Sequence, residues 1–327
     1  MNWHCRNKVS ISCQILILCL IIIFLENCNA PRSNPLDPKN DTDLKILTGQ
    51  VFSLSYKPLD HVKVIWLLDG KITFTDDKGK FTLGPVDKKS GYLYFEKEGY
   101  AGDSLFVDWE NPEIPDPVLL NSVPYLDSLE FYSVVDNYTE RYKQKKLVVC
   151  KVKLSDDDNN ITSVFLIKEG KTKQDSLIYN PASKYFERTF SVSELNETSL
   201  EQLIGKDFHF WVVDQDNAKF NIGRYHIKRI ISQEVQLESP GDLDTVSVPF
   251  KLNWDRFLPG FDFEYKVQIH TNYISNNVLV WEKIVPSDSI SVTITENIPS
   301  GSYTWVIWSI DRFLNRNASK GKSFIVE

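Results

Sequence analysis

The chain has 327 residues, of which 25% are charged and 42% hydrophobic, and its net charge is −7. This composition excludes a disordered chain and is typical of a folded protein with two or three domains. Since an acidic chain without a basic stripe does not attract phosphates, nucleic acid is excluded as a partner.

The first 40 residues contain a targeting signal. Arg6 and Lys8 precede an apolar run from residue 9 to residue 25, which ends before Cys28. A charged start, an apolar centre and a cysteine at the cleavage point resemble a bacterial lipoprotein signal. The resemblance implies a signal peptide over 1–27 and a lipidated Cys28 that anchors the protein to a bacterial membrane, the outer membrane of the cell envelope.

Two observations keep other anchors open. Asn27 stands where the lipoprotein motif usually has a small residue, although the polar, Pro-rich tether over 28–43 is similar to lipoprotein tethers of Bacteroidetes-like bacteria. The apolar run is short for a membrane span, which needs roughly 20 residues, but an uncleaved helical anchor is the alternative. Ordinary secretion is disfavoured, because Glu26 and Asn27 form a poor cleavage site.

The rest of the chain predicts an all-β protein. Val, Ile, Tyr, Phe, Trp and Thr recur throughout, and these residues favour strands. We therefore expect tandem β-sandwich modules behind the signal and the tether. Cys150 is the one cysteine after Cys28 and lies in an alternating run, so it is expected to pack in a core.

The first module spans 44–120. Its motifs are Gly49-Gln50-Val51, the hairpin from Thr73 to Leu83 with a turn at Asp77-Lys78-Gly79-Lys80, and Lys97-Glu98-Gly99-Tyr100. This succession resembles the carboxypeptidase regulatory-like (transthyretin-like) domain. The resemblance implies a β-sandwich without catalytic residues.

The second module spans 121–232 and contains a series of short alternating segments. We predict strands over Leu147–Leu154, Ile161–Ile167, Tyr185–Phe190 and His209–Asp214. Their succession favours an Ig-like sandwich.

The third module spans 233–327. Trp254 follows an alternating run, and Tyr303 and Trp305 lie in a G-x-Y-x-W strand. With Tyr265 they resemble the fibronectin type III-like domains of bacterial surface proteins, which implies that all four pack in the core.

The only metal candidates are two oxygen-rich turns. Asp156 and Asp158 lie in one turn, and Asp214 and Asp216 lie in the other. Calcium needs six to eight oxygens, and neither turn has the D-x-D-x-D-G pattern with a terminal Glu. The sequence therefore favours solvated turns, and no metal or cofactor is predicted.

Catalytic motifs are missing from the sequence. It contains no G-x-S-x-G, no H-E-x-x-H and no Gly-rich phosphate loop, so the chain is predicted not to be an enzyme. Aromatic residues could instead bind a ligand. Trp109 lies beside a Pro-rich break and Trp281 follows a polar turn, so these two are the binding candidates least expected to be buried.

The predicted function is a non-enzymatic cell-envelope lipoprotein that presents β-sandwiches for adhesion, ligand binding or scaffolding of an envelope complex. The alternative is a glycan-binding accessory protein that serves a separate carbohydrate-processing enzyme. The partners are thus the membrane and an envelope protein or glycan. Coplanar exposed aromatics on one face would favour a glycan, and a contiguous apolar patch with a charged rim would favour a protein.

The Cys28→Ser variant tests the anchor. If acyl chains on Cys28 hold the protein, the variant is expected to move from the membrane fraction to the soluble fraction. Ultracentrifugation and immunoblotting measure this, and retention in the membrane would indicate an uncleaved helix instead.

Overall fold

The computed structural model describes residues 44–327 except 111–113, 115–116, 139–143, 243 and 272–277. The predicted signal, the tether and Cys28 lie outside the described residues. The described part forms strands and one short 3-10 helix, Leu200–Leu203, so the predicted all-β fold is confirmed.

In the first sandwich, a three-stranded sheet in the order β4-β1-β7 packs on a four-stranded sheet in the order β3-β2-β5-β6. Its core contains Val51 and Phe81 from the first sheet and Val64 and Leu93 from the second. The strands are β1 (Leu44–Ser53), β2 (Lys63–Trp66), β3 (Lys71–Phe74), β4 (Lys80–Asp87), β5 (Gly91–Glu96), β6 (Asp103–Val107) and β7 (Val118–Leu120).

In the second sandwich, one strand belongs to both sheets. β11 pairs with β10 through its first half and with β12 through its second half, so it connects them. Cys150 is fully buried between the sheets, and burial raises the pKa of its thiol. The strands are β8 (Tyr125–Asp136), β9 (Lys145–Ser155), β10 (Ile161–Lys168), β11 (Gln174–Asn180), β12 (Tyr185–Ser191), β13 (Phe208–Asp214) and β14 (Lys219–Tyr225).

The third sandwich packs the sheet β15-β17-β20 on strands β18, β19, β21, β22 and β23. Trp254, Tyr265, Tyr303 and Trp305 are buried in its core, as predicted. The strands are β15 (Leu237–Ser239), β16 (Asp244–Val246), β17 (Phe250–Trp254), β18 (Phe263–Thr271), β19 (Leu279–Pro286), β20 (Ser291–Ile294), β21 (Gly301–Asp311), β22 (Arg316–Ala318) and β23 (Lys322–Val326).

The three cores follow one another along the chain, with buried residues between Leu47 and Leu120, between Val135 and Ile227, and between Ile231 and Val326. The predicted domain boundaries stay predictions.

The second and third sandwiches share one continuous sheet, because β22 pairs in parallel with β8. Buried amide side chains reinforce this pairing. The Asn315 Oδ1 accepts a hydrogen bond from the Ser133 backbone N–H at 2.9 Å, and the Asn317 Oδ1 accepts one from the Asn137 Nδ2 at 3.1 Å. The Asn317 Nδ2 donates to the carbonyl of Ile231, at the start of the third core, at 2.8 Å. Since buried polar groups need such partners, this joint holds the two sandwiches in one arrangement.

We expect the Asn317→Ala variant to destabilise this joint. It leaves the buried Ile231 carbonyl without that donor, which costs about 1–3 kcal/mol, so the melting temperature of the second and third sandwiches should fall. Differential scanning calorimetry measures the change. The control is Asn221→Ala on an exposed strand position, and equal effects of the two variants would contradict the importance of the joint.

Candidate functional site

An apolar surface covers the outer side of the four-stranded sheet in the first sandwich. The strand register pairs Ile65 with both Ile72 and Tyr94, and it pairs Tyr92 with Phe106. Paired residues of an antiparallel sheet point to the same face. We call this surface the outer apolar face, and its residues are Ile65, Ile72, Phe74, Tyr92, Tyr94 and Phe106.

Four of these side chains are exposed, and Ile65 and Tyr94 are half-buried, although the sheet already has a core on its other side. Ile72, Phe74, Tyr92 and Phe106 are each 49–57% exposed. An antiparallel sheet with one solvated face normally carries polar residues there. Packing within the sandwich therefore does not account for these residues, and an exposed patch of this kind is typical of an interaction site.

The two most exposed rings of β5 and β6 are not coplanar. Tyr92 and Phe106 lie with their centroids 5.0 Å apart and their planes at 60°, in an edge-to-face arrangement. Stacking on a sugar ring requires a flat platform, which this pair does not form. The aliphatic side chains of Ile65 and Ile72 lie on the same face and extend it as a mixed apolar surface.

Ion pairs border the outer apolar face. The Lys63 Nζ lies 3.3 Å from the Glu96 carboxylate, and the Nζ of Lys97, the next residue after Glu96, lies 3.3 Å from the Asp60 carboxylate. Each charge is matched within the chain, so the rim is polar but close to neutral. Next to it is an open depression of about 490 Å³, whose lining includes Lys63, Tyr94, Glu96, Tyr100 and Gly102.

The expectation that Trp281 is exposed is wrong. It is 9% exposed and lies in the third core, because β19 pairs it with the buried Ile269 of β18. Trp109 is half-buried against the first core and does not lie on the outer apolar face. Neither ring is presented as a ligand platform.

The acidic turns lie at the joint between the first and second sandwiches. The Asp158 carboxylate accepts hydrogen bonds from the Ser55 backbone N–H at 2.9 Å and from the Ser122 backbone N–H at 2.7 Å. Burial alone would raise the pKa of Asp158, but these donors lower it below its usual value. Asp158 therefore stays ionised and connects the two sandwiches.

Asp156 and Asp214 also form hydrogen bonds at this joint, and the candidate that does not is Asp216. Asp156 accepts a hydrogen bond from the Ser122 hydroxyl, and Asp214 accepts one from the Asn121 Nδ2 at 2.5 Å. Asp216 is exposed. Among the described residues, no three His, Cys, Asp or Glu side chains form a group that could hold a metal ion.

Tyr100 adds a contact across the same joint. Its hydroxyl donates to the Asp157 carboxylate at 3.1 Å. Burial, together with this carboxylate, raises the pKa of Tyr100 to about 12. The phenol therefore keeps its proton and acts as a donor near neutral pH.

Sequence reasoning named Trp109 and Trp281 as binding candidates and missed the outer apolar face. Its signal is the run Tyr92-Leu93-Tyr94-Phe95, in which both parities are apolar. Leu93 and Phe95 are fully buried, so the alternate residues point outward. A strand with apolar residues at both its inward-facing and its outward-facing positions is normally buried on both faces, either within one protein or against a partner.

Comparisons with known proteins give weak structural likenesses. No family model matches the chain, and no curated protein matches it. The FN1–FN3 domains of chicken CNTN1 share 8% identity at a TM-score of 0.34, with 81% of this chain and 90% of that chain covered. The fibronectin(III)-like modules of Clostridium thermocellum CbhA share 8% identity at a TM-score of 0.30, with 62% and 93% covered.

A third similar structure is BcpA, the major pilin subunit of Bacillus cereus. It shares 10% identity at a TM-score of 0.26, with 87% of this chain and 98% of that chain covered. In the part of the chain that the structure describes, no helix has the length and apolar character of a membrane span.

We expect the outer apolar face to contribute little to folding. Phe106→Ser should lower the free energy of unfolding by about 0.5–1.5 kcal/mol, because it removes the edge-to-face contact with Tyr92 but no core packing. The control, Phe95→Ala, removes a fully buried ring of the same sheet and should cost about 3–5 kcal/mol. Thermal unfolding followed by circular dichroism measures both, and a large loss in Phe106→Ser would show that the ring is structural.

Proposed function

We propose that the chain is a non-enzymatic cell-envelope lipoprotein, anchored through Cys28, that scaffolds an envelope complex. Its first sandwich binds a protein partner through the outer apolar face. The observation that supports this is the run of exposed and half-buried aromatic and aliphatic side chains across four hydrogen-bonded strands.

The geometry favours a protein over a glycan as the partner. Aromatic residues mixed with aliphatic side chains, inside a polar rim, are typical of protein interfaces. The edge-to-face arrangement of Tyr92 and Phe106 lacks the flat platform of a sugar-binding site. Because the rim charges are paired within the chain, the partner offers a largely apolar surface, and binding depends little on salt.

The proposed anchor limits where the partner lies. Residues 28–43 connect Cys28 to β1, and sixteen residues span at most about 55 Å when fully extended. The first sandwich is therefore held near the membrane surface. Its partner is a protein that exposes an apolar patch close to that membrane.

Site-specific crosslinking tests this proposal in cells. A photo-crosslinking residue at position 106 is expected to capture one defined envelope protein, which is then purified for a binding measurement. Phe106→Lys should raise the Kd of the complex with that protein at least tenfold, because the substitution places a charge in an apolar contact. The matched control is Ile178→Lys, which changes an exposed aliphatic residue of the second sandwich.

Two results would contradict the proposal. Equal weakening by Phe106→Lys and Ile178→Lys would show that the outer apolar face is not the binding site. Binding to a glycan array that Phe106→Lys abolishes would establish the glycan-binding alternative.

A further inference from the structure

The two acidic turns meet the linker between the first and second sandwiches, residues 121–124 between β7 and β8. The Gln215 backbone N–H donates to the Asn160 carbonyl at 3.0 Å, which joins the turns. The linker then contacts both of them, since Asn121 donates to Asp214 and Ser122 donates to Asp156. Oxygen-bearing side chains from three chain segments therefore converge.

Two amide oxygens at this place have no hydrogen-bond donor. The Asn121 Oδ1 and the Asn160 Oδ1 are both buried and unpaired. Asn160 is only 7% exposed, and its own backbone N–H donates to the Asp156 carboxylate at 3.0 Å. Burying an acceptor without a partner costs free energy, so an unpaired oxygen in such a place needs an explanation.

Each orphaned oxygen belongs to a residue that donates a hydrogen bond to a carboxylate without a basic partner: Asn121 to Asp214, and Asn160 to Asp156. Asp214 is 1% exposed, and its hydrogen bonds come from neutral groups, the Ala218 N–H at 2.8 Å and the Asn121 amide at 2.5 Å. Among the described residues, neither Asp156 nor Asp214 forms an ion pair with Lys, Arg or His. A carboxylate is almost never fully buried unless it is paired or binds a metal.

We propose that a calcium ion binds at this joint, between the first and second sandwiches. Its protein ligands are the Asp156 and Asp214 carboxylates and the Asn121 and Asn160 amide oxygens, and water completes the shell. Calcium accepts carboxylate and amide oxygens in irregular geometry, whereas protein zinc sites are tetrahedral and built mainly from His nitrogen and Cys sulfur. The ion would satisfy both orphaned oxygens and neutralise the unpaired carboxylates.

The site contains only two carboxylates, and the remaining ligands are amides. It therefore lacks the group of three acidic or histidine side chains by which metal sites are usually identified. Few charged ligands also imply weak affinity. We expect a Kd of about 10⁻⁴–10⁻³ M, as in extracellular calcium modules.

Calcium titration of the full chain tests this proposal. Isothermal titration calorimetry is expected to show one ion per chain, and 5 mM CaCl₂ (about 5–50 times that Kd) should raise the melting temperature relative to the protein in EDTA. Asp214→Asn should weaken binding at least tenfold. Asp216→Asn is the matched control, because that carboxylate lies two residues away and is exposed.

The Asn121→Asp variant distinguishes a calcium ligand from a residue with only a structural role, because only a ligand would bind calcium more tightly when it becomes a carboxylate. Asn121→Asp adds a carboxylate to the site, so it should lower the melting temperature in EDTA and bind calcium more tightly than the wild type. The proposal is overturned if millimolar calcium neither binds nor raises the melting temperature of the wild type. It is also overturned if Asp214→Asn and Asp216→Asn bind calcium equally well.

Discussion

Backbone hydrogen bonds between two strands determine how the second and third sandwiches are arranged. β22 of the third sandwich pairs in parallel with β8 of the second, through Arg316–Val134, Asn317–Val135 and Ala318–Asp136. Consecutive domains are usually expected to move relative to each other. Here a shared sheet and buried amide side chains oppose that motion, so the two sandwiches behave as one body.

The first sandwich is joined to this body by different chemistry. The Asp158 carboxylate accepts hydrogen bonds from the first sandwich and from the linker, and Tyr100 donates to Asp157. Charge-assisted hydrogen bonds of this kind are about twice as strong as neutral ones. A calcium ion beside them would make the stability of this joint depend on the calcium concentration. The direction in which the outer apolar face points would then depend on calcium as well.

The sequence predicts the interior of this protein better than its surface. Trp254, Tyr265 and Trp305 could be assigned to a core from their resemblance to fibronectin type III-like domains, and they lie in one. Trp281 was assigned wrongly. It follows the register shift in β19, where Val280 is the extra residue between Leu279 and Trp281, so its direction could not be counted from the turn before it. Once a bulge shifts the register, the inward and outward positions exchange.

The candidate sites depend on contacts between distant residues, which composition and spacing do not contain. Asn121 and Asp214 are 93 residues apart, and nothing in either local motif indicates that they meet. The outer apolar face had a local signal, the apolar run at both parities of β5. Its extent, however, follows from the pairing of four strands, and that pairing is known only from the fold.

The most direct test of this account is the distance distribution between the second and third sandwiches. Pulsed electron paramagnetic resonance can measure it between nitroxide labels on cysteines introduced at the exposed positions Ile178 and Ile284. In a chain that starts at residue 29, Cys150 is the one natural cysteine, and it is buried and protonated at neutral pH. Because β8 and β22 share one sheet, the account predicts a single narrow distribution. A broad or bimodal distribution would show that the two sandwiches move independently and would contradict it.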